Sequence, residues 1–121
     1  MSNRCCSSAS TLIFACSGAS DVGGIADLAA RKLTGEGLGN MFCLAGVGGR
    51  VSGIMKSTES AERILAIDGC PLDCTKKCLE EAGYKNYLHL QLAHLGMKKG
   101  KSPADDKNVE KAAARCRQIL T

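Results

Sequence analysis

Apolar and polar positions alternate along the chain in blocks that change period. Thr11-Leu12-Ile13-Phe14-Ala15-Cys16 is a short apolar run bounded by small polar residues, the pattern of a parallel strand buried on both faces. Val22, Ile25, Ala26, Ala29 and Leu33 then recur at helical spacing, predicting a helix over residues 21–33 capped by Asp21 and ended by Gly35, Gly37 and Gly39. Residues 41–46, MFCLAG, read as a second strand, followed by the loop VGGR and a weaker helical stretch over 51–61. RILAID (63–68) is a third strand. Gly69-Cys70-Pro71 then opens a helix to about residue 82, with Pro71 at its first position and Cys70 as its N-cap. YLHLQL (87–92) alternates, Leu88, Leu90 and Leu92 sharing one face and His89 and Gln91 the other. Ser102 and Asp105 form a capping pair for a last helix, whose Val109, Ala112, Ala113, Cys116, Ile119 and Leu120 make one apolar stripe.

Four strands alternating with four helices, one βα unit per roughly 27 residues, imply right-handed crossovers and a mainly parallel sheet covered on both faces. The expected fold class is therefore α/β, a flavodoxin-like or Rossmann-like three-layer sandwich with strand order 2-1-3-4. Residues 1–10 read as a flexible tail carrying Cys5 and Cys6, and residues 11–121 as a single domain.

Composition narrows the function. A net charge of +4 spread over 121 residues, with two Phe, two Tyr and no Trp, argues against a base-stacking nucleic-acid module. No apolar run approaches the ~18 residues of a membrane span. The stretch from Thr11 to Cys16 is shorter than the ~7–15 residues of a signal core, so the expected location is the cytoplasm, with thiols kept reduced.

Eight cysteines are the unusual feature. In an open parallel sheet ligands sit at the carboxyl ends of the strands. Cys16 ends the first strand, Cys43 lies near the end of the second, Cys70 follows the third, and Cys74 lies one helical turn beyond Cys70. Four thiolates at one edge suit zinc, with Zn–S near 2.3 Å, and equally an iron–sulfur cluster. Zinc with four thiolates leaves about −2, which helix N-termini at Asp21 and Pro71 offset. The same field makes Cys70 a reactive thiolate, so a thiol redox protein is the main alternative, with Cys74 or Cys16 resolving Cys70 and the Cys5-Cys6 arm exchanging disulfides.

The remaining candidates read as structural. Cys116 belongs to the core stripe, and Cys78, a second turn into its helix, is expected to pack under the sheet edge. His94 reads as a solvated loop residue at the same edge, Asp68 as a turn former or an orienter of nearby groups, and Gly69 as a sharp turn. The loops SGAS and GVGGR can hold an anion through backbone N–H groups and Arg50. Gly18 to Gly23 lacks the Lys and Ser/Thr of a phosphate loop, no cysteine precedes an arginine at phosphatase spacing, and no CxxC occurs.

Across FACSGASDVGGIADLAARKL, MFCLAGVGGRVSG and AIDGCPLDCTKKCLEEAG the chain resembles the DGC-domain family, named for the motif spelled here Asp68-Gly69-Cys70. The resemblance implies a cytoplasmic prokaryotic protein whose four shared cysteines, matching Cys16, Cys43, Cys70 and Cys74, chelate zinc. It supplies no reaction. Cys78 stands where the family pattern does not require cysteine, and either it or the Cys5-Cys6 tail can substitute in the set, leaving the fourth ligand open.

Overall fold

The computed structural model describes residues 10–121, and the Cys5-Cys6 pair lies outside them. Among the described residues, strands β1 (Thr11–Ala15), β2 (Asn40–Met41), β3 (Arg63–Asp68) and β4 (Leu88–Gln91) form one parallel sheet in the order β2-β1-β3-β4. This is the expected order. Ala15 lies beside Ile67, and Asp68 beside Gln91, so the strand ends that carry the candidate chemistry are aligned.

Every residue of β1 is buried, as expected of a central strand covered on both faces. Ile13, Ala15, Leu65, Ile67 and Leu90 face helices α1 (Asp21–Gly35) and α5 (Asp106–Leu120). Leu12, Phe14, Ile64 and Ala66 face the opposite layer, which includes α2 (Leu44–Gly48), α3 (Ser52–Ser60) and α4 (Cys74–Glu81). The three-layer sandwich thus follows from strand alternation, with each face feeding its own core. Among the described residues, no helix is long and apolar enough to cross a membrane.

Several local expectations are corrected. The second strand ends at Met41. Cys43 instead caps α2, its sulfur accepting from Gly46 N at 3.3 Å. Gly46 makes this tight turn of helix possible, since a Cβ there would stand 2.7 Å from Ile54 Cγ1.

The helix expected to open at Pro71 begins at Cys74, and its N-cap is Asp73, held in the left-handed region at φ 55°. Cys70 closes a turn instead, its carbonyl accepting from Asp73 N at 3.2 Å. The start of α4 shifts because a buried carboxylate several residues upstream, Asp68, accepts from Thr75 N at 2.7 Å and Lys76 N at 3.1 Å. These are the amides a local capping side chain ordinarily serves.

Two caps also move by a residue or more. Ser20, not Asp21, caps α1 by accepting from Gly23 N at 3.1 Å. Asp21 ties down the loop before α5, accepting from Gly100 N at 2.9 Å and Ser102 N at 3.1 Å. Asp105 alone caps α5, accepting from Asn108 N at 3.0 Å, while Ser102 Oγ accepts from Lys98 N.

Arg50 joins α2 to α4. Its guanidinium donates to the carbonyls of Val47 and Gly48 at 2.9 and 3.1 Å and to that of Glu81 at 2.9 Å. These three bonds give Arg50 a structural role between the two helices. Lysine cannot reproduce a three-carbonyl fork, so Arg50→Lys is expected to cost about 1 kcal/mol. Equilibrium urea unfolding checks this, and an unchanged midpoint would show the tie to be idle.

Candidate functional site

At the carboxyl edge of the sheet three backbone segments lie in contact. A Cβ on Gly23 would stand 2.7 Å from Gly18 N, and one on Gly69 would stand 2.7 Å from both the carbonyl carbon and oxygen of Val22. The loop after β1, the first turn of α1 and the loop after β3 thus meet with no room for side chains. Gly69 is required for this approach. Its φ is not positive, so the sharp turn expected at that position is not the reason for glycine.

Ser17 (φ 53°) and Asp73 (φ 55°) sit in left-handed backbone beside this junction. Such conformations cost of order 1 kcal/mol for a non-glycine residue and persist where side chains hold them. Ser17 Oγ donates to Asp27 Oδ1 at 2.8 Å, and Asp27 also accepts from Arg31 Nε at 2.7 Å. Asp73 Oδ1 accepts from Gln91 Nε2 at 2.6 Å.

Asp68 is 1% exposed. Besides the two α4 amides, its Oδ2 lies 2.9 Å from His89 Nε2. Burial opposes ionisation of this carboxyl, but the hydrogen bonds from His89, Thr75 and Lys76 outweigh it and hold the group below the ordinary carboxylate range. His89 Nε2 is also 3.6 Å from Asp73 Oδ1. Asp68, Asp73 and His89 are the described side chains whose ligand atoms all fall within 4.8 Å of one another.

The sequence pattern placed His89 and Gln91 on one face of β4 without assigning them a partner. The parallel register supplies it: Asp68 pairs with Gln91, so His89 is its diagonal neighbour on the same face. His94, the histidine singled out from the sequence, is exposed in the 3-10 turn Leu92–Leu95.

The thiols divide into groups. Cys16 is half-buried just past β1, its N–H donating to Ile67 O at 3.2 Å. Cys16, Cys43 and Cys78 line one cavity of about 530 Å³, together with Asp27 and Arg31. Cys74 and Cys78 line a neighbouring one of about 460 Å³ with Arg50 and Lys77. Cys70 is half-buried and packs against the core under α1. Cys43 and Cys74 are exposed, and Cys116 is buried in the α1/α5 core as its stripe predicted. No three of the described sulfurs come within 4.8 Å of one another.

Burial pushes the Cys78 thiol up, against the pull of Arg50. Cys116 is pushed up to about 12 by burial, which makes it an inert core thiol. The helix N-terminus expected to activate Cys70 stands at Cys74 instead, so the reading of Cys70 as an activated nucleophile loses the feature it rested on.

The family model described as DGC domain matches residues 12–116. Among curated proteins, "Anaerobic and virulence modulator AnvM" of Pseudomonas aeruginosa is 44% identical over 88 residues, which span 73% of this chain and 67% of that protein. No solved structure gives a significant match.

Proposed function

The chain belongs to the DGC-domain family, and from that premise we propose that it is a zinc-binding protein whose thiols at the carboxyl edge of the sheet hold the metal in a binding or sensing role. Cys16, Cys43 and Cys74 contribute three thiolates, and the family pattern assigns the fourth to Cys70. One observation carries the reading: Cys16 at the end of β1 and Cys43 after β2 line a single cavity with Cys78 of α4, and Cys74 lines the neighbouring one. An isolated cysteine is a common core residue, but three facing one cavity have no packing purpose.

The donor set suits the ion. Thiolate sulfur is a favoured zinc ligand, and four of them around Zn²⁺ leave a charge of about −2. Arg50 and Lys77 line the second cavity, so compensating cations are at hand. Bound there, zinc would cross-link segments that follow three strands and report metal or thiol status as a change in the shape of this edge. The relative's name, a modulator, fits a role of this kind.

Metal analysis of protein purified without chelator tests the proposal. One zinc per chain, reduced by serine at Cys16, Cys43 or Cys74, is the expected result. Zinc far below one per chain that no serine variant lowers would reject it. Visible absorbance with bound iron would instead assign a cluster to the same thiols.

The buried members of the two cores lie outside the candidate ligand set, with Cys16 and Cys70 packed only at the margin of one. Chelation is therefore expected to leave the far-ultraviolet circular dichroism unchanged and to lower the melting temperature, by loss of ligand linkage alone. Structural zinc commonly contributes about 10–16 kcal/mol, so collapse of the helical signal on chelation would mean that the fold depends on the ion.

A further inference from the structure

We infer that the fourth sulfur of this zinc site comes from Cys78 rather than Cys70. The inference rests on the zinc reading above and changes one member of its ligand set. Cys78 lines both cavities: it faces Cys16 and Cys43 across the first and stands with Cys74 in the second. Cys70 lines neither; it packs at the margin of the α1/α5 core, as Cys16 also does. One helical turn separates Cys74 from Cys78 on α4, so both sulfurs project from the same face of the helix.

Gly48 borders both cavities as well. A Cβ at that position would stand 3.3 Å from Cys78 Sγ, so the glycine keeps the approach to this sulfur open. A helical cysteine meant only for packing gains nothing from such clearance.

Tetrahedral zinc with bonds of about 2.3 Å sets its sulfurs about 3.8 Å apart. The described sulfurs form no trio within 4.8 Å, so binding draws the side chains inward. Rotation between staggered wells moves a cysteine sulfur by about 3 Å. Cys74 is exposed and free to turn, the exposed Cys43 turns at the cost of its cap on Gly46 N, and Cys16 and Cys78 already border the first cavity. Cys16 packs against the α1/α5 core as Cys70 does but also lines the cavity, whereas Cys70 lines neither cavity and the turn that its carbonyl closes with Asp73 N restricts its backbone.

Differential alkylation of the full chain, zinc-loaded against chelator-treated and read by mass spectrometry at each cysteine, tests the assignment. Zinc should protect Cys16, Cys43, Cys74 and Cys78 and leave the alkylation rate of Cys70 unchanged. Competition with a chromogenic chelator is the second arm. Cys78→Ser should weaken zinc binding by more than the roughly 10–100-fold typical of losing a group that only supports a ligand, and Cys70→Ser should leave affinity unchanged. Protection of Cys70 with Cys78 still reactive overturns the inference while keeping the zinc reading. Protection of no thiol removes both. The alkylation arm uses the unmutated protein, so a Cys78→Ser chain that folds poorly does not spoil the test.

Discussion

Gly69→Ala is expected to destabilise the protein by about 3 kcal/mol, at the upper end of what overpacking costs. The new methyl would stand 2.7 Å from the Val22 carbonyl carbon and oxygen and 3.0 Å from Gly23 N. These are backbone atoms in the first turn of α1, with Val22 fully buried, so no flexible side chain can move aside. Relief would require α1 to shift relative to the loop after β3, and α1 is clamped between the sheet and α5. Urea unfolding should show a lower midpoint at unchanged slope. Gly18→Ala is the matched control, since a Cβ there meets nothing within 4 Å and its φ is not positive. Equal losses in the two variants, or none at Gly69, would contradict the account of this junction.

Asp68→Ala is expected to cost about 3 kcal/mol, the upper range for leaving buried hydrogen-bonding groups without their partner. The substitution strands the Thr75 and Lys76 amides at the start of α4 and deprives His89 of its acceptor. Asp68→Asn keeps one acceptor oxygen and should lose less, which separates capping from charge. The sign of the acid dependence follows from the lowered carboxyl. The unfolded chain holds its proton more tightly, so the stabilisation is complete above about pH 4 and disappears as pH falls through the folded-state value. Urea midpoints of the natural protein and Asp68→Asn should therefore converge as the pH is lowered from 6 to 2. Parallel curves would show that the charge on Asp68 contributes nothing.

Most of the architecture was legible in the alternation of apolar runs, because a parallel sheet buried on both faces leaves continuous strands and one-sided helices. β3 was placed to the residue, and α1 and α5 within a few residues, since Val22 to Leu33 and Val109 to Leu120 bury one face each. What failed was set by contacts distant in sequence. The apolar run MFCLAG gave no sign that Cys43 would cap a helix, which depends on Ile54 settling against Gly46. Pro71 suggested a helix start, and Asp68 overrode it from outside the local window.

The candidate site divides in the same way. The regular spacing of Cys16, Cys43 and Cys70 put thiols at the ends of successive strands, but spacing along the chain does not decide which side of the edge a sulfur faces. Cys78, whose place in its helix suggests packing, lines both cavities, while Cys70, the reactive thiol of the alternative reading, lines neither. The Asp68–His89 pair needed the register of β3 against β4, which no local pattern carries.

Zinc-edge X-ray absorption of the zinc-loaded protein tests the central claim most directly, because it counts the atoms bound to the metal. Four sulfur neighbours at about 2.3 Å are expected if the thiols of separate chain segments meet on one ion. A shell of oxygen and nitrogen at about 2.0–2.2 Å, as Asp68, Asp73 and His89 would provide, would contradict it.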